Sequence, residues 1–146
     1  MISRAAIIRE ARTWRGTPFA HQAHARGLAT DCVGFVGGVG IAVGALAPDI
    51  FARHAGYERT PANGALEAIC DAHLQRIAPE RMQPGDVALL RFSVEPQHLG
   101  LLVPYALGGL ALMHAYSRAA RVIEQRLADV WRARIVRVYA FHGVEP

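Results

Sequence analysis

Apolar residues recur at helical spacing in separate stretches up to Ile77, and after Pro84-Gly85 they fall into short continuous or alternating runs. From Ser3 to Arg15, Ala6, Ile7, Ala11 and Trp14 share one helical face, with Ser3 placed to cap the start and Gly16 to end it. From Val33 to Leu46 every residue is apolar or glycine and Pro48 stops the run, which predicts a buried helix opening at Cys32. Pro48 to Asn63 is a connection without a clear period. Pro61-Ala62-Asn63 then reads as a helix start, with Ala65, Leu66, Ile69, Cys70, His73, Leu74 and Ile77 on one face and an end before Pro79. Val87–Phe92, His98–Val103, Leu110–Ala115, Arg121–Ile123 and Ile135–Phe141 read as five strands, with a helical turn at Asp129–Arg132. Helices first and an antiparallel sheet second give an α+β fold, with the Cys32 helix packed on a five-stranded antiparallel sheet.

Composition sharpens this picture at a few points. The 146 residues, 52% of them hydrophobic, suit one domain (1–146) with a single core. Glycines at 34, 37, 38, 40 and 44 cost the central helix about 0.8–1 kcal/mol each relative to alanine, so a sheet or another helix is expected to approach its bare face closely. Ile7-Ile8 is broken at once by Arg9 and Glu10, which is not a signal-peptide core, and no stretch reaches the ~18 apolar residues of a membrane span. The expectation is cytoplasmic synthesis, without export by the usual route and without membrane insertion. A net charge of +4 with scattered arginines gives no basic run for nucleic acid, though it suits an anionic polymer. The two cysteines, Cys32 and Cys70, fit neither a disulfide framework nor a zinc knuckle and read as free thiols.

A thiol at a helix start has a chemical meaning. Unpaired backbone N–H groups and the helix dipole favour thiolate and lower the free-cysteine pKa of about 8.5. On this stretch alone a packed core cysteine fits as well. His98 and His114, in the strands downstream, can supply the base and the group that orients it. A hairpin centred on Ala106 sets His98 directly opposite His114 on one face, given an odd loop and positive φ at Gly108-Gly109; an even loop would separate them. His21 and His24 lack the partners that would complete a zinc site, and Cys70 and His73 are most economically core or flanking residues.

Gly16-Thr17-Pro18-Phe19, Asp31-Cys32-Val33-Gly34-Phe35, Pro84-Gly85-Asp86, His98-Leu99-Gly100 and His114-Ala115 together resemble the NlpC-type cell-wall cysteine peptidases, a papain-like family of bacteria and their phages. The order and approximate spacing match over nearly the whole chain. The resemblance implies catalytic Cys32, His98 and His114, with His98 as base and His114 fixing its tautomer, no cofactor and no metal. It also implies a murein stem peptide as substrate, cut between D-γ-glutamyl and a diamino acid, with Asp31 holding the substrate amine. Phe19 stands where the family has a tyrosine, and Val33 where it has a serine; both departures remove polar contacts near the substrate. The Phe19-Ala20-His21-Gln22 segment looks like the branch encoded beside phage tail or gene-transfer-agent genes, which implies phage tail proteins as partners and an enzyme carried on the particle. An amidase or acyltransferase on the same Cys-His scaffold, and a non-catalytic tail-assembly or wall-binding module, are the alternatives.

Overall fold

The computed structural model describes residues 1–56, 64–92 and 96–146. The helix start expected at Pro61–Asn63 lies outside them. Ser3 caps α1 (Arg4–Thr13) by accepting the Ala6 N–H at 3.1 Å, and Ile7, Ala11 and Trp14 turn inward. A small hairpin, β1 (His24–Ala25) with β2 (Ala29–Thr30), leads into α2 (Cys32–Ala42), followed by a short α3 (Ile50–Arg53) and α4 (Ala65–His73). None of the described helices is long and apolar enough to cross a membrane.

Two helix ends differ from expectation. The apolar run continues past α2, but Gly44 takes φ +80° and the Ala45 and Leu46 N–H groups both return to the Gly40 carbonyl, which folds Leu46 back onto the helix. The helix before Pro79 stops at His73. Leu74 is extended, and Gln75–Ile77 form a strand, β3. Apolar residues at 74 and 77 satisfy either period, and the free edge of the last strand decides in favour of pairing.

The sheet therefore has six strands rather than five. With β4 (Val87–Arg91), β5 (Pro96–Pro104), β6 (Leu110–Tyr116), β7 (Arg121–Arg126) and β8 (Ile135–Ala140), the order is β3-β8-β4-β5-β6-β7, antiparallel throughout. A helical turn, α5 (Asp129–Arg132), leads into β8. Alternation along the strands divides the core. Leu89, Leu99, Leu101, Met113 and Ala115 face Phe35 and Val39 of α2, while Ala88, Leu90, Leu102 and Leu112 pack with Leu127 and Trp131 on the far face. Burying side chains such as Phe35, Val36 and Val39 is worth about 1.5–3 kcal/mol each, enough to offset the glycine penalty in α2. The close approaches that α2 needs its glycines for come mainly from elements other than the sheet. A Cβ at Gly38 would collide with the Trp14 indole, and one at Gly34 with the Ala23 carbonyl and with Thr30 Oγ1.

Candidate active site

Asp31 fixes where α2 begins. Its Oδ1 accepts the Gly34 N–H at 2.8 Å as an N-cap, and its Oδ2 accepts the Gln22 N–H at 2.7 Å, with His21 Nδ1 at 3.9 Å. The same carboxylate thus ties the β1–β2 hairpin region to the helix, and Cys32 follows as the first helical residue, half-buried.

The sheet leaves one backbone N–H of β5 turned toward Cys32. The Leu102 N–H turns toward β4 and donates to the Asp86 carbonyl at 2.8 Å, so N–H groups of odd-numbered residues in β5 turn toward β6. Pairing with β6 ends at Leu101↔Met113. Leu99, the next odd residue, has no strand partner on that side and directs its N–H to the Cys32 sulfur, where it favours the thiolate. Among the described residues no direct hydrogen bond joins Cys32 to the His98 ring; the link between them is the His98–Leu99 backbone.

His98 and His114 do meet. His98 Nε2 lies 2.7 Å from His114 Nδ1, with the rings 4.9 Å apart and both residues buried. The hairpin register runs from Leu101↔Met113 to Pro104↔Leu110 and so centres on Leu107, not Ala106. Moving the centre by one residue shifts each pair by two, which keeps both histidines on one face but makes them diagonal rather than directly opposed. Gly108 and Gly109 both take positive φ in the odd loop. Gly100 lets the strands close, since a Cβ there would sit 2.5 Å from Leu112 Cδ1 and 3.0 Å from the Met113 carbonyl. An aromatic wall encloses the pair: Tyr116 stacks on His114 at 5.0 Å, Trp131 meets it edge-on at 5.1 Å, and Phe92 lies 5.2 Å from His98.

This enclosure sets the charge state. Burial holds His98 well below its ordinary 6.5, helped by repulsion from His114, and pushes His114 down to about 4. The thiol moves opposite to the sequence expectation. Burial first, and then the Asp31 charge, push Cys32 up to about 12, against the lowering from the Leu99, Val33 and Cys32 N–H groups. The resting state is a neutral thiol and two neutral imidazoles rather than an ion pair.

The other motif residues build the frame. Thr17 Oγ1 accepts the Gly27 N–H at 3.0 Å, and Phe19, whose N–H donates to the Ala120 carbonyl at 2.9 Å, packs partly buried on the helix-side core. Asp86 receives Arg4 Nη1 at 2.7 Å and the Gln83 N–H at 2.8 Å, while Gly85 makes its turn at φ +95°. Cys70 is core, His73 Nε2 lies 2.8 Å from His54 Nε2, and His24 stacks on Phe51 at 4.0 Å. Among the described residues no three His, Cys, Asp or Glu side chains are gathered as metal ligands would be. Sequence reasoning missed Tyr116, Trp131 and Phe92 around the histidines and the Leu99 N–H. It also passed over the N-cap role of Asp31, which its place before an apolar helix could have signalled.

The fold is that of NlpC/P60 domains. The NlpC/p60 domain of the peptidoglycan hydrolase SagA superposes with a TM-score of 0.64 at 18% identity, over 94% of this chain and 97% of that one. An NLP/P60-family protein similar to lipoprotein, from Staphylococcus aureus, gives 0.64 at 15% identity over 98% of this chain, which spans only 42% of the staphylococcal protein. An N-acetylmuramoyl-L-alanine amidase from Bacteroides uniformis gives 0.57 at 13% identity, over 93% of this chain and 96% of that one. No family model matches the sequence, and no curated protein matches it.

Proposed function

We propose that this protein is a cell-wall hydrolase of the cysteine-peptidase type that cleaves an amide bond in the murein stem peptide, of the D-γ-glutamyl–diamino acid kind. The observation that carries this reading is the buried His98 Nε2···His114 Nδ1 contact of 2.7 Å beside the β5 backbone that meets the Cys32 sulfur. In this mechanism His98 Nδ1 takes the thiol proton as the sulfur attacks the substrate carbonyl, and His114 holds His98 in the required tautomer. The Cys32 N–H, at the start of α2, donates to the oxyanion, a contribution of roughly 2.7–4 kcal/mol to the barrier. The His98 imidazolium then protonates the leaving amine, and water releases the acyl group from sulfur by the reverse route. Asp31 lies next to the nucleophile with its carboxylate tied to Gly34 and Gln22, so its effect on a substrate amine is through charge as well as contact. Phe19 lends an apolar surface in place of a hydroxyl.

The test is incubation with defined muropeptides and weighing of the products. Cys32→Ala abolishes cleavage, His98→Ala costs nearly as much, His114→Ala costs less, and Cys70→Ala keeps activity. Equal cleavage by Cys32→Ala and the parent overturns the reading in favour of a wall-binding or tail-assembly module. The likeness to the Bacteroides amidase favours one second reading, an amidase on the same scaffold, which product masses distinguish. The Phe19-Ala20-His21-Gln22 segment supports carriage on a phage tail or gene-transfer particle, which co-purification with the particle tests.

A further inference from the structure

His114 holds a buried donor that lacks an acceptor. For His98 to receive a proton on Nδ1, its Nε2 must already carry hydrogen and donate it across the 2.7 Å contact to His114 Nδ1. That fixes the proton of neutral His114 on Nε2. This atom is fully buried, and no hydrogen bond satisfies it. Such an atom calls for a partner that closes on it in some state of the protein.

The surroundings narrow the choice. Tyr116 lies over the His114 ring at an interplanar angle of 19°, out of the plane in which Nε2–H points. Trp131 offers an indole N–H, which is a donor and cannot accept. The β6–β7 register supplies the remaining candidate: His114 faces Ile123 and Leu112 faces Gln125, so Gln125 projects from the same sheet face as His114, on the diagonal. Its amide is half-buried and already lies close enough to favour the protonated form of His114.

We propose that Gln125 is a positioning residue of this site, its side-chain carbonyl accepting His114 Nε2–H and extending the line from Cys32 through His98 and His114 to the edge strand β7. The inference rests on the catalytic reading above. In the proton transfer the S–H bond of Cys32 breaks and an N–H bond forms at His98 Nδ1, while His114 and Gln125 keep their hydrogens. What Gln125 supplies is orientation. With Nε2–H engaged, His114 Nδ1 stays a lone pair aimed at His98, and that contact strengthens as His98 becomes cationic.

Nitrogen-15 NMR of histidine-labelled protein reads the His114 tautomer without any substrate, and steady-state kinetics on a murein stem peptide read its consequence. The parent is expected to show His114 protonated on Nε2, with a hydrogen-bonded shift and slow exchange. Gln125→Leu, which keeps the volume and removes the acceptor, loses that protection and lowers kcat by about tenfold at unchanged KM, the scale on which outer partners of a functional histidine act. Gln125→Glu keeps an acceptor and restores both signals. A proton found on His114 Nδ1, or a Gln125→Leu variant with unchanged Nε2–H signal, overturns the proposal. If the parent cleaves no stem peptide, the catalytic reading falls, and the tautomer and exchange data still decide the Gln125 contact on their own.

Discussion

Acid should strip stability from this fold through one ring. His114 is fully buried and its pKa stands near 4 instead of 6.5, so the unfolded chain binds a proton that the folded chain refuses. The stabilisation is fully present above pH 6.5 and is lost as pH falls from there toward 4. At about 1.4 kcal/mol for each pH unit between the two values, the complete loss is about 3 kcal/mol, with about 2 kcal/mol already gone at pH 5. For a domain of this size each kcal/mol moves Tm by about 2–4 °C, so the ring accounts for a fall of about 6–12 °C between pH 7 and pH 4. His98 acts in the same direction, and part of its depression comes from His114 itself. The assay is thermal unfolding followed across that range in the parent and in His114→Gln, which retains a polar group but cannot titrate. Carboxylates such as Asp71 and Glu124 contribute alike to both proteins and cancel in the comparison. The parent should lose about 6–12 °C more than the variant. Equal slopes, or a His114 resonance titrating near 6.5, would refute the reasoning.

The same burial keeps His98 a free base in mild acid, so cleavage should persist as pH drops below 6.5, and an acid limb at or above that value in a pH–rate profile would count against a buried base. Asp31→Asn removes the charge that raises the Cys32 pKa, so alkylation of Cys32 at neutral pH should speed up while the Gly34 cap survives on the amide oxygen; a slower reaction would show that the charge is not felt at sulfur. Gly100→Ala forces a methyl against Leu112 and the Met113 carbonyl, which should cost about 1–3 kcal/mol in denaturant unfolding and part the histidine pair; wild-type stability and activity together would mean that the strands give way freely. Arg4→Met leaves the buried Asp86 carboxylate without its cation and should cost about 3–5 kcal/mol at pH 7, less in acid where Asp86 takes up a proton.

The local signals that proved legible were those that depend on few residues. Ser3 capping α1, the apolar run from Val33, the Pro84-Gly85 turn and the positive φ at Gly108-Gly109 each follow from near-neighbour physics, and the sequence alone placed Cys32 at a helix start; it set both histidines on one face of one hairpin on condition of an odd loop, which the register supplies. Parity was enough for that last step. A face is kept under any even change of register, so an error of one residue in the hairpin centre left the histidines together.

What tertiary structure decided lies where one segment meets another. Whether Gln75–Ile77 would be helix or strand depended on an unpaired edge of β8 many residues away. The Cys32 thiol illustrates the same limit for chemistry. The Val33 and Cys32 N–H groups lower its pKa, as the helix start leads one to expect, yet the enclosing core above all, and then the adjacent Asp31 charge, raise it further, and a desolvation cost cannot be read from residues that are distant in the chain. Likewise the wall of Phe92, Tyr116 and Trp131, and the place of Gln125 beside His114, exist only because β4, β6, β7 and α5 converge on one sheet face. The sequence by itself nominated the groups proposed for chemistry; the packing of the sheet determined their charge and their partners, because burial and register are properties of the assembled layers.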